Sequence, residues 1–214
     1  STLAPHVNHA RAKCALLHWI LSVGYKASEL MHQNPKMPQL ISTPAVGFEQ
    51  PFELLEACHE RVDRTLALLQ RLVAHIDSQG HDASSRSAAS DVMRYFDLAA
   101  PHHHLDEERH VFPAVLDSGN VAWIEAVKTL LQDHKDLHQQ WTDLRQVLQV
   151  WANEDMASAT VTEQTYQAVN TYCERYAQHK LLEDGVVYPA ARSLMTAPEA
   201  LHAMGSEMKA RRQH

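Results

Sequence analysis

Apolar residues recur every three or four positions along four long stretches that follow residue 50. This spacing places them on one face of a helix, whereas a half-buried strand would require strict alternation. The stretches run from about Phe52 to Ile76, Ala83 to Val111, Ala122 to Trp151, and Thr160 to near Gly185. Short polar connections separate them, so the pattern predicts an all-α fold, an up-down antiparallel four-helix bundle.

Breaker and cap residues refine the ends of these predicted helices. Pro101 lies inside the second stretch, and Pro113 is expected to close it because proline disfavours a helix interior. Thr162, followed by two acidic or amide residues, is typical of the cap and first turn of the fourth helix. That helix is expected to end within residues 185–189.

The residues outside the four stretches predict two smaller elements. Residues 9–32 have an amphipathic helical pattern and lead into a proline-rich connector over 33–51, and a short C-terminal helix is expected from residue 198. We therefore divide the chain into three parts. They are an N-terminal helix with its connector (1–49), the bundle (50–195) and a C-terminal tail (196–214).

Histidines interrupt the apolar faces of the predicted helices. His59 lies in line with Val62 on the first helix, and His179 follows Tyr176 on the fourth. A buried imidazole is costly unless it finds a partner, and a single one is usually a hydrogen-bonded core residue. Four helices that each present a histidine at mid-helix favour a common site instead.

Residues 101–113 read PHHHLDEERHVFP and hold three histidines in a row. Each is followed four residues later by a carboxylate, which gives pairs that share one helix face. The pairs are His102 with Asp106, His103 with Glu107, and His104 with Glu108. The three pairs cannot all face the bundle interior, because consecutive residues point in different directions around a helix.

An internal repeat selects among these pairs. When HHLDEERHVFPAV is aligned with HKLLEDGVVYPAA, His103 matches His179 and Glu107 matches Glu183. Both segments carry an HxxxE element followed by an aromatic residue, proline and alanine. The repeat therefore favours the middle pair. The two flanking histidines, His102 and His104, are interpreted as neighbours that support the ligands or, more simply, as solvated helix surface.

The candidate ligand set contains five histidines and two glutamates. Its members are His59, His103, Glu107, His134, His138, His179 and Glu183. Seven donors exceed the four ligands of a single zinc ion and suggest two metals, and mixed imidazole–carboxylate donors favour iron over magnesium or calcium. Two octahedral irons that share both carboxylates and one oxygen would have all but one position filled. The remaining position is open to a small ligand.

Composition limits the partners of such a site. The net charge of −7 argues against a nucleic-acid surface, which is usually basic. Three scattered cysteines favour a reducing compartment over a disulfide scaffold. The longest apolar run, residues 15–25, is too short to span a bilayer and lacks a cleavage site behind it. We therefore expect a cytoplasmic protein without a membrane segment.

Four motifs taken together resemble the bacterial hemerythrin-like (HHE cation-binding) proteins. The motifs are CHERVDR, PHHHLDEERHVFP, DHKDLH and HKLLEDGVVYP, and the resemblance covers roughly residues 50–195. It implies an up-down four-helix bundle around a non-haem di-iron centre with the seven ligands named above. Some members of the family use a five-residue step on the fourth helix, which would select Asp184. The internal repeat favours Glu183 at this point.

The resemblance implies a non-haem di-iron protein that binds oxygen or a related small ligand, such as nitric oxide or peroxide, at an open iron position. Its role would be oxygen binding or sensing, or the handling of iron and oxidative stress. One alternative is a di-iron enzyme that turns over peroxide or oxygen, as a peroxidase or ferroxidase does. Another is a structural metal bundle without redox chemistry. Tyr172 and Tyr176 bear on this choice, because a tyrosine at the open position can donate a proton.

The segment before the bundle leaves the oligomeric state open. Its apolar residues either cap the bundle or bury a dimer interface. They are Leu16, Leu17, Trp19 and Ile20. Both a monomer and a homodimer are therefore compatible with the sequence.

Overall fold

The computed structural model describes residues 46–153 and 160–213, and every regular element within these ranges is helical. Four long helices form the bundle, and three shorter helices extend or cover it. They are α1 (Pro51–Gln79), α2 (Ala83–Asp106), α3 (Phe112–Leu116), α4 (Val121–Ala152), α5 (Glu163–Leu182), α6 (Tyr188–Leu194) and α7 (Pro198–Arg211). The predicted all-α fold is confirmed.

The long helices pack in a closed ring. α1 contacts α2, α2 contacts α4, α4 contacts α5, and α5 returns to α1. Short turns join α1 to α2 and α3 to α4, so these neighbours run antiparallel, as an up-down bundle requires. Nowhere in 46–153 or 160–213 does a helix combine the length and apolar character needed to cross a bilayer. The predicted N-terminal helix lies outside the described residues, and the boundaries of the three-part division stay a prediction.

Side-chain caps fix where the helices begin. Asp82 accepts the Ser85 N–H at 2.8 Å, and the Asp82 N–H donates to the Ser85 hydroxyl oxygen, which forms a capping box for α2. Thr162 accepts the Thr165 N–H at 3.2 Å and caps α5, as predicted. Such caps satisfy N–H groups that a helix start leaves unpaired. Gly80, whose φ is 88°, ends α1 in the region that favours glycine.

Two π-helical turns interrupt the bundle helices at corresponding places. The first π turn, Glu107–Val111, joins α2 to α3, and the second π turn, Glu183–Val187, joins α5 to α6. The aromatic residue after each turn, Phe112 or Tyr188, donates its N–H to the carbonyl of the glutamate that opens the turn. A proline comes next in both cases. Its ring would clash with the carbonyl four residues earlier in a regular α-helix, and the wider turn relieves this clash.

Because of these turns, the two prolines do not end their helices. The prediction that Pro113 closes the second helix is wrong, since the chain stays helical through α3 to Leu116. The fourth helix likewise continues past Pro189 to Leu194. A π turn lets a helix pass through a proline that an unbroken α-helix would not tolerate. Pro101 lies inside α2 as predicted.

Two hydrophobic clusters fill the bundle, and a polar layer separates them. The first cluster includes Leu69, Phe96, Trp141 and Tyr172, and the second includes Leu55, Phe112, Leu130 and Tyr188. On each long helix the change from one cluster to the other falls at a buried histidine or glutamate. The polar centre is therefore a layer between two apolar clusters that exclude water from it.

The predicted C-terminal helix is α7, which contacts α1 beside this layer. A Cβ at Gly205 would stand 1.7 Å from the Phe48 carbonyl oxygen, so the close approach of the two segments requires glycine. Arg211 and Arg212 form ion pairs with the fully buried Asp106 carboxylate. Because Asp106 directly precedes Glu107, these contacts anchor the start of the first π turn.

Candidate metal centre

Six of the seven predicted ligands come together in the polar layer. They are His59 on α1, His103 on α2, Glu107 in the first π turn, His134 on α4, His179 on α5 and Glu183 in the second π turn. Each is at most 5% exposed. Their donor atoms form two overlapping groups, and within each group all atoms lie within 4.8 Å of one another. Both groups contain the two glutamates.

We name the two sides of this centre by their imidazoles. The two-histidine half contains His59 and His103, and the three-histidine half contains His104, His134 and His179. On α2 and on α5 an α-helical step of four residues carries histidine and glutamate to the same face. Each glutamate then opens a π turn, so the geometry of the ligand pair is α-helical and the widening begins directly after it.

Glu183 lies between the two halves. Its Oε2 is 3.0 Å from His59 Nε2, in the two-histidine half. Its Oε1 is 2.9 Å from His179 Nε2 and 3.9 Å from His134 Nε2, in the three-histidine half. One carboxylate oxygen therefore faces each set of imidazoles.

Glu107 repeats this arrangement from the opposite side of the layer. Its Oε1 is 3.6 Å from His103 Nε2, and its Oε2 is 3.4 Å from His134 Nε2. Both glutamates thus offer one oxygen to each half, which is how a carboxylate bridges two cations. Two adjacent cations held by shared ligands form a recurrent type of metal site.

His104 belongs to the centre, although the repeat favours a surface position for it. Its ring stacks on His134 with centroids 3.9 Å apart. Its Nε2 is buried and has no hydrogen-bond partner among the described residues. His104, His134 and His179 form a third group of donors within 4.8 Å of one another. The surface interpretation of His104 is therefore wrong.

The sequence predicts a surface position for His104 because Asp97 lies on the same face of α2, and a charged residue suggests that this face is solvated. In the structure Asp97 faces α4, where it accepts hydrogen bonds from Trp141 Nε1 at 3.0 Å and from Arg145 Nε at 2.9 Å. A carboxylate with such partners is compatible with a helix interface. The tryptophan and arginine on the third predicted helix are the sequence features that could have revealed this contact.

His138 does not join the centre. It is exposed on α4 and lies outside the three donor groups found among the described residues. From Val127 onward the buried positions of α4 alternate in steps of three and four, and they are Val127, Leu130, His134, Leu137, Trp141, Leu144, Leu148 and Trp151. This seam passes through Leu137, which turns His138 away from the core. The HxxxH spacing is present, but its second histidine is on the wrong side of the seam.

Acidic side chains at the rim of the centre contact the outer nitrogens of three imidazoles. Asp184 Oδ1 lies 2.9 Å from His59 Nδ1, and Glu108 Oε1 lies 2.7 Å from His134 Nδ1. Asp133 Oδ2 lies 3.7 Å from His179 Nδ1, which is an ion-pair distance. Such carboxylates fix the orientation of metal-binding imidazoles and increase their basicity.

Asp184 therefore has a place in the structure that differs from that of Glu183. The Asp184 side chain is 49% exposed and contacts the outer face of His59, whereas the Glu183 side chain is fully buried among the inner nitrogens. The five-residue step that would select Asp184 points outside the centre. The α-helical step of four residues points into it.

Several inner atoms of the centre have no hydrogen-bond partner among the described residues. They are Nε2 of His104, His134 and His179, Oε2 of Glu107, and both carboxylate oxygens of Glu183. Buried polar atoms of this kind are rare in folded proteins because each costs desolvation free energy. In this layer the inner nitrogens and carboxylate oxygens lie within 4.8 Å of one another in each donor group, but their orientations do not form hydrogen bonds. A shared cation would satisfy them, so the donor set fits a metal.

Without a cation, protons offset the charge of the carboxylates. Burial lowers the pKa of His59, but contacts with Asp184 and Glu183 outweigh burial and raise it to about 10. Burial is outweighed in the same way at His134, whose pKa rises to about 11, and at His179, whose pKa rises to about 9. These three imidazoles must lose a proton before they bind a metal.

The other imidazoles are already in the form that binds metal. Burial holds the pKa of His103 and of His104 well below the usual range, so both rings are neutral. Burial, together with the charge of Glu183, raises the pKa of Glu107 to about 7. A cation between the two glutamates would remove this mutual repulsion.

Aromatic rings at corresponding positions of the repeat back the two halves. Tyr188 stacks on His59 with centroids 5.4 Å apart, and Phe112 lies 5.5 Å from His134. The Tyr188 hydroxyl also donates to Glu107 Oε1. The two tyrosines that the sequence singles out, Tyr172 and Tyr176, lie in the first hydrophobic cluster instead.

Comparison with known proteins points to a cation-binding domain. A family model described as the hemerythrin HHE cation binding domain matches residues 50–197. A protein of Haemophilus influenzae that bears the description "Uncharacterized protein" is 28% identical over 176 residues. The alignment covers 82% of this chain and 95% of that relative.

Proposed function

Since this chain belongs to the hemerythrin HHE cation-binding domain family, we propose that it holds two non-haem iron ions in the polar layer and binds oxygen or a related small ligand there. The observation that carries the proposal is the position of the two glutamates. Each places one oxygen toward each set of imidazoles. A single ion would leave half of these buried donors unused.

The chemistry of the donors supports iron. Five imidazoles and two carboxylates form a mixed nitrogen and oxygen set, whereas calcium and magnesium prefer oxygen alone. No cysteine belongs to the donor groups of the described residues, which disfavours the sulfur-rich sites of structural zinc. The ligands would be His59, His103, His104, His134 and His179, with Glu107 and Glu183 as bridges.

The two metal positions would differ in the number of protein ligands that each receives. The three-histidine half supplies one more imidazole than the two-histidine half. When bound, ferrous iron supplies electrons and an exchangeable coordination position for oxygen, nitric oxide or peroxide. We place that position in the two-histidine half, because it has fewer protein nitrogens.

Protein groups around the layer would serve this chemistry by excluding water and holding protons. Phe96 lies on one side of the layer, in the first hydrophobic cluster, and Phe112 lies on the other. The rim carboxylates keep the inner nitrogens of the imidazoles directed at the centre. An enclosed site of this kind favours a small uncharged ligand over bulk water.

The test is an optical spectrum of the iron-loaded protein, reduced without oxygen and then exposed to it. We expect a charge-transfer band that appears on exposure and disappears under vacuum, from a protein that contains about two irons per chain. Immediate and irreversible conversion to an oxidised spectrum would contradict reversible binding and favour the enzyme alternative. A protein that retains no iron after gel filtration would overturn the proposal.

The cellular compartment and the oligomeric state are also proposals. The small number of cysteines supports a cytoplasmic protein. We keep a monomer and a homodimer as the two candidate states, and sedimentation velocity distinguishes them directly.

A further inference from the structure

Tyr188 occupies a distinctive place in the two-histidine half. It follows the second π turn, in which its N–H reaches back to the Glu183 carbonyl. The wider turn carries the tyrosine to the same face as Glu183, where a regular α-helix would rotate it away. The side chain is 1% exposed, so its hydroxyl needs a partner inside the protein.

The partners of this hydroxyl are two candidate metal ligands. The oxygen donates to Glu107 Oε1, which faces the two-histidine half, and lies 3.3 Å from His59 Nε2. Ligand atoms about 2.1 Å from one ion lie roughly 3 Å apart when they bind at right angles. The phenol oxygen is therefore spaced from His59 Nε2 about as a further ligand of the same ion would be, and it is in direct hydrogen-bond contact with the carboxylate oxygen of Glu107 that faces the same half.

The equivalent position of the repeat lacks this group. Phe112 stacks beside His134 as Tyr188 stacks beside His59, but it carries no oxygen. There His104 supplies an additional imidazole. Each half thus has one donor that the repeat does not share, an imidazole in one and a phenol in the other.

We infer that Tyr188 is a displaceable ligand of the metal in the two-histidine half, and that a small exogenous ligand binds there by replacing it. The inference rests on the proposed two-metal centre and goes beyond it, since it names the group that competes for the open position. On coordination the O–H bond is exchanged for an oxygen–metal bond, and the proton leaves to the solvent. On displacement the oxygen–metal bond breaks, the incoming ligand takes its place, and the phenolate takes up a proton again. Phenolate oxygen is a known iron ligand in proteins.

The first test is resonance Raman spectroscopy of the ferric, iron-loaded wild-type protein. We expect vibrations of an iron-bound phenolate, enhanced by excitation in a visible charge-transfer band. The band should be absent from Tyr188→Phe and present in Tyr176→Phe. Tyr176 is the matched control because it is also buried but lies in the first hydrophobic cluster, where its ring is 6.2 Å from those of His104 and His179.

The second test measures azide binding to the same three ferric proteins. A ligand that competes with Tyr188 should bind Tyr188→Phe about tenfold more tightly or better, because the competing group is gone. Tyr176→Phe should bind azide as the wild type does. Removal of one hydroxyl leaves the aromatic ring to pack on His59, so the variant keeps the wild-type packing.

The outcomes separate this inference from the proposed function. Two irons per chain without phenolate vibrations in the wild type would overturn the role of Tyr188 and leave the two-metal centre standing. Equal azide affinity in all three proteins would overturn displacement. A wild-type protein that binds no iron would overturn both proposals together.

Discussion

The two halves of the centre are built from the same repeated element, yet they do not offer the same donors. Each copy of the repeat contributes the histidine of its HxxxE step to one half, and after the π turn its aromatic residue backs an imidazole of the other half. One half gains His104, which stacks on His134. The other gains the hydroxyl of Tyr188.

In the proposed two-metal site, this difference would give the two metals different roles. Three imidazoles and two carboxylate oxygens nearly saturate an octahedral ion, so the three-histidine half is expected to hold its metal firmly. The two-histidine half has fewer protein nitrogens and the phenol of Tyr188, which we infer to be a displaceable ligand. A near-symmetric scaffold therefore gives an asymmetric centre through one side chain on each side.

The largest loss of iron is expected from a substitution that affects both halves at once. Glu183→Gln keeps the shape of the side chain but removes the negative charge that faces both sets of imidazoles. We expect the iron content, measured after gel filtration, to fall from about two per chain to below one. Glu174→Gln changes an exposed glutamate on α5, the helix that leads into the second π turn; it is the matched control and should keep both irons. Full retention in Glu183→Gln would rule out bridging.

A smaller effect is expected when one half is altered alone. His104→Ala should weaken the three-histidine half and leave about one tightly held iron per chain, as a chelator titration would show. His138→Ala changes an exposed histidine on a neighbouring helix and should bind iron as the wild type does. The reverse pattern would restore His138 as the ligand and remove His104.

The pH dependence should follow the protonated imidazoles. The pKa values of His59, His179 and His134 rise to about 10, 9 and 11 without metal, so iron must displace their protons. We expect iron affinity to increase with pH by about tenfold per unit for each proton displaced, most steeply below about pH 9 and less steeply between about 9 and 11. An iron affinity that stays constant between about pH 6 and about pH 8 would contradict this expectation.

The same shifts act on the stability of the metal-free protein with the opposite sign. These imidazoles bind their protons more tightly in the folded state than in the unfolded state, where their pKa is about 6.5. The resulting stabilisation of the fold is fully present below about pH 6.5. The stabilisation is lost as the pH rises through the folded-state values of about 9 to 11. Chemical denaturation of the metal-free protein should show this loss, and iron-loaded protein should not, because the metal has already displaced the protons.

The smallest effects should come from the rim carboxylates. Asp184→Asn weakens the partner of His59, and Glu108→Gln weakens the partner of His134. We expect each to reduce iron affinity by about 10–100-fold, because such partners orient a ligand without binding the metal. Competition with a chelator measures the loss. If Asp184→Asn instead removed iron as completely as Glu183→Gln, Asp184 would be a ligand.

Much of the centre follows from the sequence because its elements are local. The repeat identifies His103 from its match with His179, since a four-residue step on a helix has only one geometry. His59 and His134 follow from the periodicity of their own helices. In the structure all four lie in the polar layer.

What the sequence does not predict depends on contacts between helices. His138 looks internal at a period of 3.6 residues, but the seam of α4 advances by 3.5 and passes through Leu137. His104 looks solvated because Asp97 shares its face, and only the contact of Asp97 with Trp141 on α4 shows otherwise. Pro113 suggests a helix end because a π turn leaves no local signal of its own.

The most direct measurement is a crystal structure of the iron-loaded protein with anomalous scattering recorded at the iron absorption edge. Two peaks are expected about 3.5–4 Å apart, with Glu107 and Glu183 between them. One peak should have His59 and His103 as neighbours, and the other His104, His134 and His179. A single peak, or a peak bound by His138, would contradict the two-metal centre described above.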